Sequence, residues 1–391
     1  MSSFLLFMAR FFLNMLYGIL KCLPVSDKVT FLSRQANTPG VDFVLLEKQM
    51  HESYPEYKTV MLCKTLGTGV SKKIRYTFHM FRQMFHCATS RAVVLDSYCI
   101  VISFLKQKKS LPVFQIWHGT GLIKKFGYAI LDKKEGSERR LAKNMRMHRN
   151  YSYVVCSSPE FTGTFAEIFD CGEEKILPLG LPRMDYLQSP EHAKANRTRL
   201  YALYPELKNG KKTILYVPTF RKFGKVPTQK VIDKVNLTQY NLIVKLHGGK
   251  EQVFVDSKNQ KRTGRSGPGM DFIHIADFVI TDYSAILYEA ALVRKPLYLY
   301  CCDYDSYMED RGLFIDYFNE IPGVVSKDID VIVNAIDEGV VHDEKLESFL
   351  DKNVPYRQLN ITSALCDLIV QAARCGKIDL DSVIHSKKYL K

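Results

Sequence analysis

The sequence predicts an α/β fold: two Rossmann-like, doubly wound domains facing a cleft, preceded by an N-terminal amphipathic membrane-associating helix. Three observations carry it. At 391 residues, 46% of them hydrophobic, the chain exceeds one compact domain and can fill two cores. Short apolar runs rich in β-formers alternate with helical stretches in two series. A polar stretch from Pro190 to Lys212, centred on "SPEHAKANRTR", parts the two series. The expected divisions are residues 1–24, 25–200 and 201–391.

The first element is "FLLFMARFFLNMLYGIL". It lacks the charged start and small-residue cleavage site of a secretory signal. With Arg10 and Asn14 inside, it is a poor membrane span. At helical spacing Ser3, Arg10, Asn14, Tyr17 and Lys21 fall near one face, and Phe, Leu and Met fill the rest. That pattern suits a helix lying in a cytoplasmic membrane surface; a core helix is the alternative.

Next come the strands. The first series reads "VTFLS", "TVMLC", "AVVLD", "VFQIWHG", "YVVCS" and "ILPLG"; the second reads "TILYVPTF", "NLIVKLH", "DFVITD" and "PLYLY". Continuously apolar strands indicate parallel sheets covered by helices on both faces. Ligands of such sheets bind beyond the carboxyl ends of the strands. Standing there are Trp117-His118-Gly119-Thr120, Ser157-Ser158, Gly180-Leu181-Pro182-Arg183, Pro218-Thr219, Lys245-Leu246-His247 and Thr281-Asp282-Tyr283-Ser284. Taken singly, each has a plain structural reading: a hydrogen-bonding histidine, a strand-ending proline, a surface lysine. Six such endings in two series point to a site.

Their chemistry suits phosphate. Gly119, Thr120 and Gly121 let backbone amides approach an anion, with a helix start expected beyond them. Lys124 and Lys125 follow closely, either opposing charge or simply solvated. Ser284 is placed to cap "SAILYEAALV", whose amides would form a second anion site. Arg183 and Lys245 have the charge to clamp phosphoryl oxygens. Glu289 suits a ribose hydroxyl or an exposed helix surface.

Charge points the same way. Lys and Arg number 55 against 41 acids, a net +14, which implies nucleic acid, anionic lipid or phosphorylated substrates as partners. From Tyr57 to Leu95 there is no acid but seven bases: Lys58, Lys64, Lys72, Lys73, Arg75, Arg82 and Arg91. Ten cysteines at irregular spacing, with no C-x-x-C, indicate reduced thiols. No histidine spacing suits zinc, so no structural metal and no cofactor are expected. Asp303 and Asp305 in "CDYDSY" resemble a manganese-holding pair but have no accompanying ligand in sequence. A basic nucleic-acid-binding protein is disfavoured, since no such motif is present.

These residues resemble the CDP-glycerol glycerophosphotransferase family, the teichoic acid primases and polymerases, over about residues 28 to 375. The resemblance rests on "QIWHGTGLIKKFG", "GLPRMD", "LYVPTFR", "KLH", "ITDYSAILYEAALVRKPLYLY" and "DYDSYMEDRGLFIDY". It implies a GT-B-type fold, a peripheral position on the inner face of the cell membrane, and a lipid-linked glycan acceptor. The implied reaction is transfer of glycerol phosphate from CDP-glycerol, with release of CMP. Residues 25–200 then form the acceptor side and 201–391 the nucleotide-donor side. The implied catalytic residues are His118 and His247. The implied donor contacts are Trp117, Gly119, Thr120, Gly121, Arg183, Pro218, Thr219, Lys245, Leu246, Ser284, Ala285 and Glu289. Gly121 stands where polymerases commonly have proline, and "GLIKKFG" looks nearer to primases. A CDP-ribitol-type transferase and a GT-B nucleotide-sugar glycosyltransferase are the alternatives, and the oligomeric state is open.

Overall fold

A computed structural model describes residues 3–222, 226–246, 251–255, 262–264 and 267–391. His247 lies outside them. The chain forms two compact units, residues 1–118, 126–185 and 356–391 in the first and residues 119–125 and 186–355 in the second.

The first unit is built on a six-stranded sheet: β1 (Lys28–Ser33), β2 (Lys58–Cys63), β3 (Ala92–Leu95), β4 (Val113–Gln115), β5 (Tyr153–Cys156) and β6 (Ile176–Pro178). The order is β2-β1-β3-β4-β5-β6, and every pairing is parallel. All six residues of β1 and all four of β3 are buried, so their unbroken apolar character follows from cover on both faces. The edge strand β2 is only partly buried. Helices α1 (Ser3–Leu20), α2 (Val41–Ser53) and α3 (Val70–Thr89) belong to this unit.

So does the helix Ile361–Cys375 near the chain end, which departs from a single boundary at 200/201. Its Leu365, Leu368 and Ile369 are fully buried in one cluster with Phe31, Phe43, Leu46, Val94 and Phe114. The polar stretch read as the boundary is itself the helix Pro190–Leu203 of the second unit, capped by Ser189, whose Oγ accepts from the His192 amide. It reads polar because only Asn196 and Leu200 of it are buried.

Helix α1 packs with its polar side against the protein. Tyr17 is fully buried and its hydroxyl donates to Gln107 Oε1 at 2.6 Å. The Lys106 amide donates to Asn14 Oδ1 at 2.7 Å, and Lys21 Nζ donates to the Lys106 carbonyl. Phe4, Leu5, Phe7, Phe11, Phe12, Met15 and Ile19 are each more than half exposed. Among the described residues, no helix is long and apolar enough to cross a membrane.

The second unit carries seven strands: β7 (Lys212–Val217), β8 (Tyr240–Lys245), β9 (Glu251–Phe254), β10 (Arg262–Gly264), β11 (Phe278–Thr281), β12 (Leu297–Tyr300) and β13 (Val324–Ser326). Their order is β10-β9-β8-β7-β11-β12-β13, parallel except at β8–β9 and β9–β10. The sequence pattern did not announce β9, β10 or β13. "EQVF", "RTG" and "VVS" are too short or too polar to stand out. All ten cysteines are free thiols.

Leu365→Ala tests whether the C-terminal helix belongs to the first core. Truncating a fully buried leucine costs about 2–5 kcal/mol. The lone tryptophan, Trp117, lies in the same unit. The urea midpoint followed by its fluorescence should therefore fall. An unchanged midpoint would separate the helix from that core.

Candidate active site

The candidate residues divide between the units: Trp117, His118 and Arg183 in the first, and Gly119 to Gly121, Pro218, Thr219, Lys245, Leu246, Ser284, Ala285 and Glu289 in the second.

In the first unit the chain leaves β4 through a bend. Gln115 Oε1 accepts from the Trp117 amide at 2.9 Å, and Trp117 has φ +57°. A bulky residue in the left-handed region is strained, and such strain collects at functional sites. Stacking holds it: the Trp117 and Phe126 rings are 4.6 Å apart and within 8° of parallel, and Phe169 meets the indole edge-on.

His118 is fixed at both ends. Its Nδ1 lies 2.9 Å from the Asp96 carbonyl oxygen. A carbonyl only accepts, so Nδ1 carries the proton and Nε2 is the basic nitrogen of the neutral ring. Gln35 Nε2 approaches the same Nδ1 at 3.2 Å. The His118 carbonyl accepts from Arg183 Nη1 at 3.0 Å. Arg183 also donates to Asp42, with Nε 3.0 Å and Nη2 2.5 Å from Oδ2 and its backbone amide 2.8 Å from Oδ1. The guanidinium is thus matched by a buried carboxylate while it holds the histidine backbone.

Residues 119–125 pack with the second unit. The helix expected beyond Gly121 is not formed. Instead the segment runs as a short antiparallel ladder beside residues 311–314. The Lys125 amide donates to the Gly312 carbonyl, the Phe314 amide to Ile123, and Arg311 Nε to the Lys125 carbonyl at 2.8 Å. Two quoted motifs, "HGTGLIKK" and "DRGLF", therefore pair. Gly121 has φ +71°, and a Cβ there would meet the Tyr288 ring at 2.5 Å. That ring is anchored through its hydroxyl to the Leu122 carbonyl at 3.0 Å.

The ladder delivers Lys124 and Arg311 to a cavity of about 390 Å³ also lined by Thr219, Lys245, Leu246 and Ser284. It sits at the carboxyl ends of β7, β8 and β11, where the strand order reverses about β7. Pro218 lines it too. The Thr219 amide donates to Asp282 Oδ1, but among the described residues its buried hydroxyl has no hydrogen-bond partner. Thr120, fully buried in the ladder segment, likewise has a hydroxyl without one. Lys245 is ion-paired to Glu251 at 2.6 Å because the β8–β9 register sets the two opposite each other. Tyr204 donates its hydroxyl to the same carboxylate. Burial pulls the Lys245 ammonium pKa down, against the Glu251 that favours its charge.

The helix here spans Ile286–Leu292, and Ser284 Oγ accepts from the Ile286 amide at 3.4 Å, a long bond for a cap. Ala285 sits at its start, where a Cβ on Gly119 would come within 3.4 Å of Ala285 Cβ. Glu289 is buried rather than exposed.

Arg221, which sequence reasoning passed over inside "LYVPTFR", is buried between two carboxylates. Nη2 is 2.8 Å from Asp282 Oδ2, and Nε is 2.7 Å from Asp303 Oδ2. Its guanidinium lies over Tyr283 and Tyr307. Asp305 is paired with Lys327. Both carboxylates of "DYD" are therefore engaged by bases. Among the described residues, no group of three or more His, Cys, Asp or Glu is placed to hold a metal.

The Asp96 carboxyl, beside the carbonyl that holds His118, is pushed up from 3.8 to about 6, chiefly by burial, with Asp42 adding to the rise. A raised acid takes up a proton on folding, so the native state loses stability as pH rises from about 4 to about 6. Asp96→Asn should melt higher than the parent at pH 7, with the gain vanishing near pH 3.5. An equal gain at both pH values would clear Asp96 of this role.

Three comparisons bear on this geometry. The family described as CDP-Glycerol:Poly(glycerophosphate) glycerophosphotransferase matches residues 15–371. The chain is 30% identical over 387 residues to the teichoic acid ribitol-phosphate primase of Bacillus spizizenii, covering 94% of this chain and 98% of that one. It is 24% identical over 377 residues to the teichoic acid glycerol-phosphate primase of Bacillus subtilis, covering 92% and 96%. In fold it is similar to the wall teichoic acid polymerase TagF, in a histidine-to-asparagine variant soaked with CDPG. The TM-score is 0.71 at 18% identity over 92% of each chain. The chain therefore belongs to the CDP-glycerol:poly(glycerophosphate) glycerophosphotransferase family and is an enzyme that transfers polyol phosphate from a CDP-activated donor.

Proposed function

We propose that this transferase moves glycerol phosphate from CDP-glycerol to a lipid-linked glycan acceptor, as a primase-type enzyme of teichoic acid or related cell-surface polymer synthesis. The cavity of the second unit carries the reading. It offers Lys124, Arg311 and Lys245 for a diphosphate, and the Thr219 hydroxyl for an oxygen of the same group. A ribitol donor is the second reading, favoured by the match to the ribitol-phosphate primase. The first unit is the acceptor side and the second the donor side.

In the reaction, His118 Nε2 takes the proton of the attacking acceptor hydroxyl. That oxygen bonds to the phosphorus bearing the polyol, the bond from this phosphorus to the oxygen bridging to the cytidylate phosphate breaks, and CMP leaves with the bonding pair. Arg183 and the Asp96 carbonyl keep the ring and its tautomer in place. The cations of the cavity offset charge on the departing phosphate. His247, which follows cavity-lining Leu246 in the sequence, is the second catalytic histidine of this reading.

The enzyme works on the inner face of the cell membrane, held there through α1. The polar side of α1 is spent on the protein, which leaves its phenylalanines outward. Helix α3 adds an exposed stripe of Val70, Ile74, Phe78, Phe81 and Phe85, with Lys72, Lys73, Arg75 and Arg82 also exposed. Exposed apolar surface of this extent marks a contact surface. Each base near an anionic bilayer contributes roughly 1 kcal/mol.

Two measurements test these readings. Incubated with CDP-glycerol, CDP-ribitol and UDP-sugars plus acceptor, the protein should release CMP from a CDP-polyol. UDP release alone would make it a nucleotide-sugar glycosyltransferase. His118→Asn should lower kcat about 10²–10⁴-fold with the melting temperature kept. Near-parental turnover would remove His118 from the chemistry.

For the membrane, Phe4, Phe11 and Met15 changed together to Ser should move the protein to the soluble fraction without disturbing buried Tyr17. Bilayer binding should also weaken with salt. A triple variant that stays fully bound would free α1 of the anchoring role.

A further inference from the structure

We propose that a second cavity of about 390 Å³, in the first unit, is the subsite for the acceptor's reacting end, a phosphate-bearing polyol or sugar, with Arg34 as its anion-recognising residue. This rests on the polyol-phosphate transfer reading and gives that reaction its second substrate site.

The position follows from topology. Arg34 and Gln35 stand just beyond β1, Thr65 beyond β2, Ser97 and Tyr98 beyond β3, and Trp117 beyond β4. The strand order reverses about β1, between β2 and β3, so the cavity occupies the switch point where ligands of open α/β sheets bind. Its wall supplies hydroxyls from Thr65 and Ser97 and ring surfaces from Tyr98 and Trp117, which suit the mixed polar and CH surface of a polyol. The Gln35 side chain both lines it and reaches His118 Nδ1. The wall thus includes the direct neighbour of the ring assigned as base, and Trp117, which precedes it in the chain.

Arg34 supplies the second argument. Its guanidinium lies 5.8 Å from the Tyr76 ring centre and 5.9 Å from that of Tyr98. Its Nη1 donates to the Tyr98 carbonyl at 3.3 Å, and its backbone amide donates to Ser97 Oγ at 3.0 Å. Among the described residues no carboxylate pairs with it, and its buried Nε has no hydrogen-bond acceptor. Arg183 and Arg221, by contrast, are paired with one and two carboxylates. A half-desolvated cation with an unmet donor is costly unless an anion completes it. Access fits a lipid-linked substrate: Thr65 and the exposed Leu66 lead into α3, the helix with the apolar, basic face.

Trp117 makes the cavity observable, being the chain's lone tryptophan and part of its wall. Its fluorescence should titrate with glycerol 3-phosphate, more tightly than with inorganic phosphate, and far more tightly than with glycerol. Arg34→Gln should weaken glycerol 3-phosphate about ten- to a hundredfold, the usual weight of a hydrogen bond to a charged group. Arg34→Lys should recover part of it. Arg311→Gln, in the other unit, should leave it unchanged. Should Arg34→Gln lower the melting temperature, Leu66→Phe, which fills the rim from an exposed position and keeps Trp117 the lone tryptophan, gives the same reading by occlusion. In turnover assays either variant should raise the KM for a short-chain lipid-linked acceptor and spare that for the CDP-polyol. Titration insensitive to Arg34, equal affinity for phosphate and glycerol 3-phosphate, or competitive displacement by CDP-glycerol would each overturn the assignment. Absence of CMP release by the parent protein would instead defeat the transfer reading, whatever the titration gives.

Discussion

Where two neighbouring parallel strands send their following helices to opposite faces of a sheet, no helix covers the strand ends between them. Both sheets of this protein contain that reversal, about β1 in the first unit and about β7 in the second. Each has a cavity at the uncovered point, and the chemistry-bearing residues follow from it. Gln35, Ser97 and Trp117 are simply what comes after strands of the first sheet. Thr219, Lys245 and Ser284 are what comes at the strand ends of the second.

The same gaps dictate how charge is handled. A chain at +14 cannot leave its buried cations bare, and most are matched by nearby carboxylates: Arg183 by Asp42, Arg221 by Asp282 and Asp303, Lys245 by Glu251. Such pairs contribute little net stability, since desolvation offsets attraction, but they pin geometry. Arg183 shows the use of that. Its pair with Asp42 leaves a third direction of the guanidinium for the His118 carbonyl.

Much of the fold was legible because fully covered strands must be apolar throughout. β1, β3, β8 and β11 announce themselves in that way. Elements outside the covered zone did not. "EQVF" and "RTG" pair at a sheet edge in antiparallel fashion, and no periodicity survives in three or four residues. Facing was equally hidden. The sequence of α1 shows a polar and an apolar side, but hydropathy does not say that the polar side docks through Tyr17 and Asn14. Membership was hidden too, since the stripe of Ile361–Cys375 would fit either sheet. At the site, the strand-end rule reached Lys245 but not its partner Glu251, which is set by hairpin register. Arg34, Arg221 and Arg311 look in sequence like the other bases of the chain. Only their burial and partners set them apart.

The place of Ile361–Cys375 in the first core has a consequence for synthesis on the ribosome. The second unit is complete once residue 355 has emerged. The first unit, started at the opposite end of the chain, must wait for this helix before Phe31, Phe43 and Phe114 can be covered. At usual translation rates the roughly 200 residues between β6 and the end of that helix take about 10–40 s. During that interval the unit made first remains an open sheet with uncovered apolar side chains. The order of closure thus runs against the order of synthesis.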